Sequence, residues 1–94
     1  MSEAPVEKYL REQVIARGGI CLKLIIMGKR NFPDRTILMP GGIIFFVECK
    51  AEDKKLRKTQ KWFINRVLRP LGFRVYVCKT KAQVDETLNS EMET

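Results

Sequence analysis

The sequence predicts an α/β domain: a mixed four-stranded sheet flanked by helices, in the order α-β-β-β-α-β-α. Three observations carry this. Apolar residues recur at helical spacing in three stretches. Four short runs rich in β-branched and aliphatic residues lie between Gly and Pro signals. The third and fourth runs are separated by a helix-length segment, so they should pair in parallel through a right-handed crossover. At 94 residues, one domain spanning 1–94 is expected.

The elements follow in order. Pro5 suits the first turn of a helix, and Val6, Leu10 and Val14 then recur on one face, with Tyr9 and Gln13 beside them. Gly18-Gly19 ends that helix. Residues 20–27, ICLKLIIM, read as the first strand, and 28–33 as a loop. Residues 34–39, DRTILM, form the second strand, Pro40-Gly41-Gly42 a turn, and 43–50 the third strand. A charged connection, 51–55, leads to a helix whose inner face carries Leu56, Gln60, Phe63, Ile64 and Val67, flanked by Trp62 and Leu68. Pro70 and Gly72 stop it. Residues 73–79, FRVYVCK, make the fourth strand, and Thr80 caps a last helix with Val84 and Leu88 inward. The closing SEMET is expected to fray.

Composition narrows the chemistry. Lys and Arg total 18 against 11 Asp and Glu, a net charge of +7 that favours phosphate-rich partners. Histidine is absent, which removes Ser-His-Asp, Cys-His and His-metal chemistry; a general acid or base must be Asp, Glu, Lys, Tyr or water. The three cysteines form no CxxC pair, so reduced thiols in a cytoplasmic protein are expected rather than a disulfide framework or zinc site. No run approaches the roughly 20 apolar residues that span a bilayer, so no membrane partner is expected.

The third strand, IIFFVECK, begins apolar on both faces and ends in two charges. Glu48 and Lys50 share a face with Ile44 and Phe46; Cys49 lies on the other with Phe45 and Val47. Centring the hairpin on Gly41 sets Met39 opposite Ile43 and Leu38 opposite Ile44; carried outward, the same register sets Asp34 opposite Glu48. Opposed residues have Cβ atoms about 5 Å apart. Two carboxylates at that distance repel unless a proton or a divalent cation neutralises them. Alone, Glu48 and Lys50 could be an ordinary pair at a strand exit, and Asp34 a strand-start residue.

Pro33-Asp34 followed by Glu48-Cys49-Lys50 resembles the PD-(D/E)XK nuclease pattern, and the wider chain is similar to the VRR-NUC family: an early helix with a glutamate, then PD, then FVECK, then a helix with a glutamine. The likeness covers nearly the whole chain. It departs at Asn31, where the family usually has glycine before Pro-Asp; Asn tolerates left-handed backbone better than other non-glycine residues. The resemblance implies a restriction-endonuclease-like core. It implies that Asp34 and Glu48 hold Mg2+ or Mn2+, with the Cys49 carbonyl as a further ligand. Lys50 would position or deprotonate the attacking water. Glu7 matches the acid of the first helix, which contacts metal through water; read alone it is equally a solvent-facing glutamate. Gln60 matches the motif glutamine; read alone it is a polar residue at the rim of an apolar face, needing a partner.

Lys54, Lys55, Arg57, Lys58 and Lys61 crowd the stretch after the motif, and Lys29, Arg30 and Arg35 flank Pro33-Asp34. These eight cations are the expected DNA-binding surface, against the bland alternative of a solvated face. Trp62 is expected to pack rather than stack on bases. The reading is a metal-dependent, structure-specific DNA endonuclease. It is similar to stand-alone viral or bacterial family members, acting as a homodimer on branched DNA such as four-way (Holliday) junctions, in a bacterial or virus-infected cell. The alternative is a non-catalytic nucleic-acid-binding module on the same fold.

Overall fold

The computed structural model describes residues 4–25, 28 and 31–93. Its elements are α1 (Pro5–Ala16), β1 (Ile20–Lys23), β2 (Arg35–Met39), β3 (Ile43–Cys49), α2 (Lys58–Phe63) running into a π-helical segment (Ile64–Leu68), β4 (Val75–Cys78) and α3 (Lys81–Met92). The sheet order is β1-β2-β3-β4, antiparallel except for the parallel β3/β4 pair, as the sequence led us to expect.

α1 ends in a Schellman arrangement. Gly18 has φ +83°, its N–H bonds the Ile15 carbonyl, and the Gly19 N–H bonds the Val14 carbonyl at 2.9 Å. Gly19 is needed for a second reason. A Cβ there would lie 2.7 Å from the Leu38 carbonyl oxygen, so the chain can enter β1 this close to β2 only without a side chain.

The sheet divides the core. On one side α1 and α3 cover it, burying Leu10, Val14, Ile37, Phe45, Val47, Cys78, Val84 and Leu88. On the other, α2 and the π segment cover only β3 and β4, burying Phe46, Ile64, Leu68 and Val75, with Phe32 and Phe63 packed alongside. β3 lies inside the sheet and is buried from Phe45 to Cys49. The β1/β2 half of the second side is bare, and Ile20, Leu22 and Ile44 are 55%, 44% and 52% exposed there.

Several expectations are corrected. β1 ends at Lys23, although the Leu24 N–H still bonds the Asp34 carbonyl; residues 26 and 27 of the expected strand lie outside the described residues. β4 is shorter than 73–79, because the Phe73 N–H turns back to the Leu68 carbonyl. Leu68, not Val67, is the buried residue one turn beyond Ile64. The Arg69 N–H reaches the Ile64 carbonyl, five residues back, and this wider turn keeps residues four apart on one face. Trp62 does not pack: it is 59% exposed. The C-terminal segment does not fray at Glu91. That side chain is buried, accepts from Arg74 Nε at 2.7 Å and from the Tyr76 hydroxyl, and ties α3 to β4.

Candidate active site

The β2/β3 hairpin sets the geometry. Its register pairs Met39 with Ile43 and runs outward to Arg35 with Val47, which brings Asp34 and Glu48 together just beyond the last pair. Each carboxylate is fixed by the other residue's strand. Glu48 Oε1 accepts the Asp34 N–H at 3.1 Å, and Asp34 Oδ1 accepts the Cys49 N–H at 3.3 Å. Pro33 is fully buried and anchors the approach to Asp34.

Glu48 is buried and held from both ends. Its Oε2 accepts Gln60 Nε2 at 3.1 Å and lies 3.5 Å from Lys50 Nζ. Gln60 is itself only 4% exposed, and its Oε1 accepts the Arg57 N–H at 3.1 Å. One amide therefore satisfies the first turn of α2 and orients a carboxylate on β3. The Lys50 N–H bonds the Cys78 carbonyl at 3.1 Å, so the lysine emerges from the parallel β3/β4 ladder with its backbone fixed.

Burial and the neighbouring Glu48 and Glu7 carboxylates push Asp34 up to about 7, with the Cys49 N–H and Arg35 opposing. Burial and the charge of Asp34 push the Cys49 thiol up as well, so it stays protonated and unreactive.

Glu7 and Arg35 lie on the opposite side of the sheet from Glu48. Arg35 is 7% exposed, and its Nε and Nη2 both reach Glu7 Oε2, at 3.1 and 2.7 Å. This corrects one expectation. Arg35 is not on a DNA-facing surface, because it is buried on the α1 side of the sheet, with Val47 as its strand partner, and its guanidinium is taken up by Glu7. Glu7 is turned to an arginine, close enough to raise Asp34 but held by a cation of the protein's own. Among the described residues no cluster of three metal-ligating side chains forms.

The donor set suits a hard divalent cation. Two carboxylates converge, and burial together with the Glu48 charge disfavours ionisation of Asp34, so positive charge between them would relieve the repulsion. Mg2+ is commonly held by one or two carboxylates with water completing the shell. Asp34 and Glu48 would hold the ion.

Lys54, Lys55, Arg57, Lys58 and Lys61 are all exposed on the connection and first turns of α2, beside the acids. Lys29 and Arg30 lie outside the described residues. One cation was missed. Lys79 follows β4, and the Cys49–Cys78 pairing places it across from Lys50, where both leave the C-terminal ends of parallel strands. The signal available in sequence was the parallel crossover itself, because strands three and four each end in Cys-Lys.

Comparison with known proteins identifies the fold and the family of the chain. The model of the VRR-NUC domain matches residues 11–82, a span that contains Asp34, Glu48, Lys50 and Gln60 and leaves out Glu7. A solved structure described as a VRR_NUC domain is 35% identical with a TM-score of 0.82, covering 89% of this chain and 90% of that one. The protein named "Putative nuclease p44" of Acyrthosiphon pisum secondary endosymbiont phage 1 is 45% identical over 53 residues, 56% of this chain. The match spans 57% of that phage protein's length.

Proposed function

The chain belongs to the VRR-NUC nuclease family, and from that premise we propose that it is a metal-dependent endodeoxyribonuclease acting as a homodimer on branched DNA such as four-way junctions. The observation that carries the reading is the convergence of Asp34, Glu48 and Lys50 at one end of β3, with Gln60 fixing Glu48. A bound Mg2+ or Mn2+ would supply charge to polarise the scissile phosphate and acidify a water. The chain's own part is to hold the two carboxylates rigidly and to present the Lys50 ammonium beside them, where it orients the attacking water and offsets charge building on phosphate.

A module that only bound DNA would gain nothing from acids here, since Asp34 and Glu48 repel phosphate. The cations of α2 contact backbone phosphates, which carry no sequence information, so shape selects the substrate. The bare half of the sheet supports the dimer. Ile20, Leu22 and Ile44 form an uncharged surface on a chain of net charge +7, unsuited to a polyanion and suited to self-packing about a two-fold axis. No helix of the described residues is long and apolar enough to cross a membrane.

The test is cleavage of four-way-junction, flap and linear duplex DNA with Mg2+, with Mn2+ and with chelator, alongside Lys50→Ala. Cutting of the junction with metal, lost in the variant, is expected. Binding without cutting under every condition would leave a non-catalytic module, and cutting by Lys50→Ala at the wild-type rate would move the site elsewhere.

A further inference from the structure

Beside the acids, between α2 and the end of β4, runs an open trough of about 480 Å³ lined by Lys55, Leu56, Lys61, Val77 and Lys79. Three of its five residues are lysines, two are aliphatic, and none is acidic. Lys79 also lines a second hollow of about 270 Å³, which it shares with Cys49, Lys50 and Glu52 and with the start of α1. It is thus the wall common to the catalytic end of β3 and the trough.

The placement follows from the parallel ladder. Glu48 pairs with Val77 and Cys49 with Cys78, so Val77 shares the face of Glu48, and alternation carries Lys79 onto the face of Lys50. Adjacent strands lie about 4.8 Å apart, which puts the two lysine backbones side by side. Among the described residues, the ammonium groups of Lys55, Lys61 and Lys79 enter no ion pair, whereas Lys50 has Glu48. Three like charges round an apolar floor repel one another until an anion arrives.

We propose that this trough is a binding subsite for the nucleotide adjoining the scissile bond, with Lys79 as its central phosphate contact. Lys55 and Lys61 close on the same phosphate from the α2 side, and Leu56 with Val77 receives the carbon face of the deoxyribose. The subsite rests on the nuclease reading for which phosphate is cut, but its affinity for the DNA backbone does not depend on cutting. Its role is substrate positioning: Lys79 sets the strand's path past Lys50.

The test uses the full chain and a fluorescein-labelled four-way junction. Affinity is measured by anisotropy in chelator across a salt series for wild type, Lys79→Gln, Lys79→Arg and Lys23→Gln, the last removing an equal charge from the exposed β1 edge strand. Lys79→Gln should weaken binding about five- to tenfold and make the slope of log K against log salt shallower by about one, the signature of one lost phosphate contact. Lys79→Arg should restore both, and Lys23→Gln should change neither. With metal present, Lys79→Gln should raise KM and leave kcat. Equal losses in Lys79→Gln and Lys23→Gln would overturn the subsite, as would an unchanged salt slope or a wild-type chain that binds no junction. Absence of cleavage with these binding differences intact would count against the nuclease reading alone.

Discussion

Replacing Asp34 by Asn should stabilise the metal-free protein at pH 8 while abolishing its response to divalent cations. In the folded chain Asp34 is held at about 7 against an ordinary value of 3.8, chiefly by burial and then by Glu48. A raised acid favours the folded state at low pH and loses that contribution as pH climbs toward the folded value. Below about pH 4 Asp34 is protonated both folded and unfolded. Between about 4 and 7 the unfolded chain ionises it freely and the folded chain does not, so stability drains away. Taken at face value the difference is about 4 kcal/mol; Asp34 is only half-buried, and water screening brings it to about 2 kcal/mol. Asn keeps an oxygen for the Cys49 N–H and has no charge to bury.

The window is unusually clean. The chain has no histidine, and Cys49 and Cys78 are pushed further from neutrality, so no imidazole and neither of these thiols titrates between pH 5 and 8. Thermal melts in chelator at pH 5 and pH 8 measure the effect. Asp34→Asn should melt about 10 °C higher at pH 8, taking 4–8 °C per kcal/mol as the scale for a domain of this size, and the gap should shrink to well under half of that at pH 5, where only the first part of the loss has accrued. Mn2+ should raise the wild-type melting temperature at pH 8, do so less at pH 5 where the cation must displace a proton, and leave the variant unmoved. A stability difference that is flat between pH 5 and 8, or a variant less stable than wild type at pH 8, would refute the like-charge account of the site.

Three further outcomes are expected. Gln60→Leu removes a donor from buried Glu48 and an acceptor from the Arg57 N–H, so chemical denaturation should show a loss of about 2 kcal/mol, with cleavage falling on every substrate alike. Arg35→Met leaves Glu7 beside Asp34 without its partner and should cost about 3 kcal/mol; adding Glu7→Gln should recover much of that, and a double-mutant cycle reads the coupling. Ile44→Glu puts a charge on the bare half of the sheet, so sedimentation should report a monomer while circular dichroism and melting stay close to wild type.

What could be read from sequence was decided by whether the needed partner was near in the chain. Asp34 and Glu48 are joined by a tight turn at Pro40-Gly41-Gly42, and a short turn sets strand register with little freedom, so their convergence followed from counting. The same alternation that brings them together turns Arg35 away. Arg35 adjoins the surface cations in sequence, but alternation along β2 places it with Val47 on the covered side of the sheet. Lys79 needed the parallel register of β3 with β4, which depends on where a crossover of some twenty-five residues lands rather than on a turn. Glu91 was legible only through Arg74 and Tyr76, so a polar, charged tail read as loose when it is a clasp. Leu68 and Val67 exchanged places because α-helical spacing was assumed where the chain winds wider.

These cases locate the limits of the motif itself. The acids and Lys50 occupy a hairpin end and a strand exit, positions that local pattern describes well. What makes them a site is lateral: Gln60 arriving from α2 to hold Glu48, β4 fixing the Lys50 backbone, and Glu7 raising Asp34 from behind the sheet while Arg35 restrains it. The two sides of the sheet therefore meet electrostatically at Asp34. A substitution of Glu7 or Arg35, neither of which shares a face with Glu48, should change cation affinity through the charge that Asp34 is able to carry. That coupling is the reason the pH experiment and the Arg35→Met cycle test one arrangement rather than two.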